Sequence, residues 1–155
     1  MAKRKGPTVN LDDSIAYHIH LTARLLRASF LRMGKSANID LHPEQWFILN
    51  KLYKREGQTQ VELTDSIFQD RANITRILNA MEKRGLVTRE NDAQDKRVHR
   101  IYLTEKAISL HDEFVQIVVK ERHDLFEGLS GNDFDEFRRI LGVLQQNMSK
   151  KYGQI

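Results

Sequence analysis

Apolar residues in this chain recur mostly in steps of three and four, a spacing that predicts helices along most of its length. From Asp12 or Ser14 onward, Ile15, Ile19, Leu26, Phe30 and Met33 form one stripe, widened by Leu21, Leu25 and Ala28. So broad a band predicts burial on more than one side, with Gly34 as the stop. A second helix opens at Pro43, where proline's missing N–H costs nothing. It carries Trp46, Leu49, Leu52 and Tyr53 and ends before Gly57. In "TQVELTDSI", Thr59 and Glu62 fit a capping box, each side chain satisfying the other residue's backbone N–H. Val61, Leu63 and Ile67 are the expected buried face of that helix. Asp70 can cap the next one, whose core stripe is Ile74, Ile77, Leu78 and Met81. Gly85 sits where a left-handed C-terminal residue is expected.

The period then changes. "LVTRE" and "HRIYL" read as two strands joined by "NDAQDK". Thr104 caps a long helix with Ile108, His111, Phe114, Val115, Val118 and Leu125 facing inward. Ser130 and Asp133 resemble a second capping box, and Phe134, Phe137, Leu141, Leu144 and Met148 make a heptad-like seam on the last helix. Two short helices a few residues apart, the second amphipathic and basic, read as a helix-turn-helix, and the β-ribbon after them as a wing. The expected fold is mainly α with a small β-wing: a winged helix-turn-helix DNA-binding lobe plus a helical dimerisation region from the N- and C-terminal helices.

At 155 residues the chain predicts one domain. Residues 1–9, with "MAKRKGPT", read as a flexible basic tail. Within 10–155, the lobe spans 41–103 and the dimerisation helices 10–38 and 104–151. Cysteine is absent, which excludes disulfides, thiolate metal sites and cysteine nucleophiles. No apolar run approaches the roughly 20 residues that span a bilayer, and no apolar segment follows the basic start as in a secretion signal. A cytosolic location and no membrane partner are expected. The net charge of +4 suits a polyanion only weakly, but its placement is informative. Between Arg71 and Arg100, eight bases (Arg71, Arg76, Lys83, Arg84, Arg89, Lys96, Arg97, Arg100) face only Glu82, Glu90, Asp92 and Asp95. The excess coincides with the helix and hairpin.

"ITRILNAMEKRGLVTRENDAQDKRVHRIYLTEKA" resembles the core signature of MarR-type winged-helix transcriptional regulators, and "LHPEQWFIL" resembles the opening of that family's second helix. The likeness runs from about Leu11 to the C-terminus, with several motifs in the right order. Departures are modest. His42 stands where the family usually has Thr or Ser before the proline, Ala107 replaces the usual glycine after "LTEK", and Leu63-Thr64 replaces the frequent Leu-Ala.

A helix fits the major groove with its N-terminal side chains at base edges, which nominates Arg71, Ala72, Asn73, Thr75 and Arg76, with Ile74 pointing inward. The resemblance implies that Arg97 enters the minor groove and that Asp95 pairs with it and fixes its direction; a narrow A·T-rich groove attracts such an arginine. Lys96, Arg89 and His99 would serve as phosphate contacts. A solvated helix face and an ordinary surface hairpin would explain the charges but not their placement. One recognition helix covers few base pairs, so a homodimer on a palindromic double-stranded operator is expected, with half-sites about 34 Å apart. Ile15, Ile19, Phe137, Leu141, Leu144 and Met148 are the expected interface, although such stripes also complete a monomer's core.

The resemblance further implies a small aromatic or phenolic effector, for which Tyr17, His18, Trp46 and His111 are the candidates; each also fits plain core packing or a surface histidine. The expected role is a repressor released by that ligand. Two alternatives stay open. One is a zinc-responsive regulator using His18, His20, His42 and His111, although His18 and His20 do not share a helix face. The other is a winged helix that binds protein rather than DNA. No Ser-His-Asp ordering, glycine-rich phosphate loop, HExxH or paired-carboxylate motif stands out, so neither an enzyme nor a cofactor is expected.

Overall fold

The computed structural model of this chain describes residues 10–67 and 71–153. The expected tail over 1–9, the Asp70 cap and the side chain of Ile67 lie outside the described residues. The chain divides into two compact units at Pro43 and Glu44.

The first unit holds α1 (Ile15–Ser36), capped by Ser14, whose Oγ accepts the Tyr17 N–H at 3.3 Å. Gly34 does not stop this helix, which continues to Ser36. Its lack of a side chain serves a close return of the chain instead. The Ile39 N–H donates to the Gly34 carbonyl at 2.7 Å, and a Cβ on Gly34 would lie 2.5 Å from the Ile39 carbonyl oxygen. Of the predicted stripe, Phe30 and Met33 are buried, whereas Ile15, Ile19, Leu25 and Leu26 are exposed.

The second unit contains α2 (Pro43–Lys54, all but its first residue), β1 (Gln58–Thr59), α3 (Gln60–Ile67), α4 (Arg71–Lys83), β2 (Val87–Asn91), β3 (His99–Leu103), α5 (Glu105–Leu125) and α6 (Gly131–Tyr152). The strands form an antiparallel sheet in the order β1-β3-β2. β1 is not among the expected elements, because two residues carry no alternation to read. The core of this unit is built from Ile48, Leu49, Leu52, Leu63, Ile74, Leu78, Met81, Leu86, Val87, Ile101 and Phe114, all fully buried or nearly so.

Both capping boxes form. The Thr59 N–H donates to Glu62 Oε2 at 2.7 Å and the Glu62 N–H to Thr59 Oγ1 at 3.2 Å; Ser130 and Asp133 repeat the exchange. Gly85 takes φ +67, as a helix end requires. As on α1, burial falls short of expectation on α3 and α5, where Val61, Ile108 and Leu125 are exposed. On α5 the inward line is Ala107, His111 and Phe114, at steps of four and three, and Ile108 lies one residue, about 100°, off it. Leu125 closes the helix beyond that line. On α6 no residue is buried: among the described residues, Phe137, Leu144 and Met148 of its apolar seam are exposed and Phe134 and Leu141 half-buried.

Candidate nucleic-acid interface

α4 presents its first turns as the pattern predicts. Arg71, Ala72 and Arg76 are exposed, Asn73 and Thr75 half-buried, and Ile74 is fully buried. Thr75 is less free than its position implies. Its Oγ1 donates to the Arg71 carbonyl at 2.7 Å and accepts from Gln60 Nε2 at 2.6 Å. Gln60, at the start of α3, therefore pins the first turn of α4. The remaining hydroxyl lone pair and the methyl are what Thr75 can still offer.

The wing turn follows β2. Arg97 is almost wholly exposed, at 95%, and its Nε lies 3.8 Å from Asp95 Oδ1. The same carboxylate accepts the Arg97 backbone N–H at 3.0 Å, and Lys96 is exposed beside it. Arg89 turns toward the protein instead. Its Nη1 donates to Glu82 and its Nη2 to Asn79, both at 2.7 Å, so β2 is tied to α4. Sequence reasoning misses Gln60, and it misses the pair of Asp92 and Arg100 at the wing's base. Neither carries a short-range signal beyond the Asp-x-x turn pattern at 92–95.

Thr75 and Asn79 of α4, Gln60 and Val61 of α3, and Arg89, Arg97, Val98 and His99 of the hairpin line one concavity of about 470 Å³, together with Thr59 and Ile101. Arg76 is not part of the lining, but it sits three residues before Asn79 on the same helical stripe. Helix and wing thus border one concavity, with the exposed Arg97 on its wing side. Arg71, Ala72, Asn73, Asp95 and Lys96 are likewise outside that lining.

The effector candidates fall into two pairs. In the first unit, Tyr17 and His18 meet edge to face at 5.8 Å, and His18 Nε2 lies 2.7 Å from the Asp12 carbonyl. In the second, Trp46 and His111 are buried and stacked at 5.1 Å, with Tyr53 on His111 at 3.9 Å and Phe114 edge-on to Trp46. His111 Nδ1 lies 3.3 Å from Asp112 and its Nε2 3.4 Å from Asn50 Oδ1. Tyr53 also bonds Asp112, which pushes the phenol's pKa up and, with His111, the carboxyl's down. Among the described residues, no three His, Cys, Asp or Glu side chains cluster to hold a metal ion, and no helix is long and apolar enough to cross a membrane.

Helix-turn-helix, wing and flanking helices in this order define a winged helix-turn-helix protein. Residues 41–99 match the MarR family. The whole fold is similar to the transcriptional repressor CouR bound to a 23-mer DNA duplex (26% identity, TM-score 0.78, covering 87% of this chain and 94% of that one). It is also similar to S. aureus MepR in a DNA complex (20%, 0.77, covering 88% and 98%), and to the PcaV regulator from Streptomyces coelicolor with its natural ligand (20%, 0.76, covering 91% and 98%); these two show the fold alone. Residues 41–99 thus carry a MarR-type lobe, within a chain whose fold is similar to that of MarR-type transcriptional regulators. The family that this lobe matches and the structural neighbour CouR are regulators rather than enzymes.

Proposed function

We propose that this protein is a cytoplasmic, sequence-specific DNA-binding repressor that acts as a homodimer. The observation that carries the reading is the shared concavity, in which Thr75 and Asn79 of α4 face the same space as Arg97 of the wing. An α-helix in the major groove and an arginine in the neighbouring minor groove need that arrangement. Arg71, Ala72, Asn73, Thr75 and Arg76 are the proposed base and phosphate contacts, and Arg97, with Lys96 and Asp95, the wing contact. Arg89 holds the hairpin on α4 and contributes to the field more than to direct contact.

The lobe over 41–103 would bind the duplex. Residues 10–38 and 104–151 would build the dimer, which the uncovered seams of α1 and of α6 support. A dimer seated on an operator blocks transcription sterically, hence the repressor role. An aromatic or phenolic effector would act through Trp46 and His111 or through Tyr17 and His18. At the first pair it has to displace an existing ring stack, and it shifts DNA affinity only by binding the two states unequally. Selection of bound duplexes from a random pool tests the function. A palindrome with half-sites about one helical turn apart is the expected outcome. Arg97→Ala, which should weaken binding to that palindrome more than about tenfold while leaving folding intact, tests the wing. No enrichment of any sequence would overturn the reading.

A further inference from the structure

The wing is held by a carboxylate that the charge pattern alone does not single out. Asp92 directly follows β2, and its side chain is only 12% exposed. Its Oδ1 accepts the backbone N–H groups of Gln94 at 2.8 Å and Asp95 at 3.1 Å. Its Oδ2 accepts from Nε of Arg100, on the paired strand β3. These donors, Gln94 first, hold the Asp92 carboxyl below the usual range. Arg100 also reaches the other way, its Nη1 donating to the Gly57 carbonyl at 2.8 Å. Gly57 leads into β1, where Thr59 pairs with Arg100 in register and caps α3 with Glu62. Gln60 then bonds Thr75 on α4.

A continuous run of polar contacts and strand pairing thus leads from the wing turn to the recognition helix, with Asp92 and Arg100 as its central links. The Asp95–Arg97 pair is a poorer candidate for fixing direction. Both groups are mostly exposed and lie 3.8 Å apart, where water screens the attraction, and the bond that holds Asp95 Oδ1 comes from the Arg97 backbone N–H rather than its guanidinium. Asp95 is itself placed by Asp92, which holds its N–H.

We propose that Asp92 and Arg100 are positioning residues for duplex binding: through the wing turn they set the direction of Arg97 relative to α4. This rests on the DNA-binding reading above. It makes a prediction of sign. An acid beside a polyanion repels it, so on charge alone removing Asp92 should tighten binding. A positioning role requires the reverse.

The test uses the full chain, the palindromic duplex it selects from a random pool, and anisotropy at fixed salt. Asp92→Ala and Arg100→Ala should each weaken binding about tenfold, a loss bounded by that of Arg97→Ala. Asp92→Asn keeps an oxygen for the two backbone N–H groups but loses the charge facing Arg100, and should weaken it about threefold. In an Arg97→Ala background, Asp92→Ala should add less than about twofold, because the group it positions is gone. If Asp92→Ala fails to fold, the same cycle is run with Asp92→Asn, whose loss should also vanish in that background. Unchanged or tighter binding by the Asp92 variants, or losses that simply add to that of Arg97→Ala, would overturn the positioning role and leave the DNA reading intact. A wild-type protein that binds no duplex in a salt-sensitive way would remove both.

Discussion

Covering the exposed apolar side chains of α6, those of its seam and beside it, has a magnitude that decides the assembly. Phe137, Leu144 and Met148 of the seam, with Ile140 and Val143 beside it, are 37–54% exposed, and no residue of the helix is buried. Fully burying such a side chain contributes about 1.5–3 kcal/mol, so covering the exposed half of each gives about 1 kcal/mol, or roughly 5 kcal/mol per protomer. A symmetric pair doubles that to about 10 kcal/mol, against an association cost of about 4–15 kcal/mol. At the low end of that cost the surplus is about 6 kcal/mol, a dissociation constant on the order of 10⁻⁵ M before the exposed apolar residues of α1 are counted, and small enough for one charge in the seam to break the dimer. Leu144→Glu forfeits about 1 kcal/mol of burial on each side and adds a desolvation cost of several kcal/mol per carboxylate. Twofold symmetry counts both twice, so the dissociation constant should rise by three orders of magnitude or more. Sedimentation at about 10 μM should show the wild type as a dimer and Leu144→Glu as a monomer with unchanged helical circular dichroism. A Leu144→Glu protein that still sediments as a dimer, or a wild type that is monomeric, would refute the assignment of α6.

The geometry makes three further predictions. Gly34→Ala gains about 1 kcal/mol of helix propensity, but its Cβ would lie 2.5 Å from a backbone oxygen, an overpacking that costs about 1–3 kcal/mol; the urea midpoint should fall, and a rise would contradict the close-return account. The Glu62 carboxyl is held low, first by the Thr59 N–H, so its contribution is present above its unfolded pKa of about 4 and lost as the pH falls through the folded value. The urea midpoint should drop between pH 6 and pH 3.5, and by less in Glu62→Gln; equal drops would show the cap to be inert. Trp46 is the sole tryptophan and is stacked on His111, so a hydroxybenzoate that binds there should change its emission and weaken duplex binding together; emission that changes without any effect on DNA affinity would separate that site from regulation.

What is legible in the sequence is local. Capping boxes at Thr59–Glu62 and Ser130–Asp133 need residues three apart and appear where the spacing puts them. The recognition helix and wing follow from a period that changes at Gly85. Contacts between distant residues are not legible: Gln60 on Thr75 spans fifteen positions and Arg100 on Gly57 forty-three. Arg89 shows the limit for charges, since a basic residue beside a basic helix reads as a phosphate contact until its partners Glu82 and Asn79 are seen. Gly34 misleads because a helix end and a close approach both require glycine. The α6 seam reads as an interface from its spacing, but periodicity cannot say whether the covering surface belongs to the same chain.

The salt dependence of duplex affinity, measured for the wild type and for Arg97→Ala, tests most directly whether helix and wing grip one nucleic acid. The account predicts a steep linear fall of log affinity with log salt for the wild type, about −0.9 per phosphate neutralised, and a slope shallower by about one for Arg97→Ala. An affinity indifferent to salt, or identical slopes for the two proteins, would contradict it.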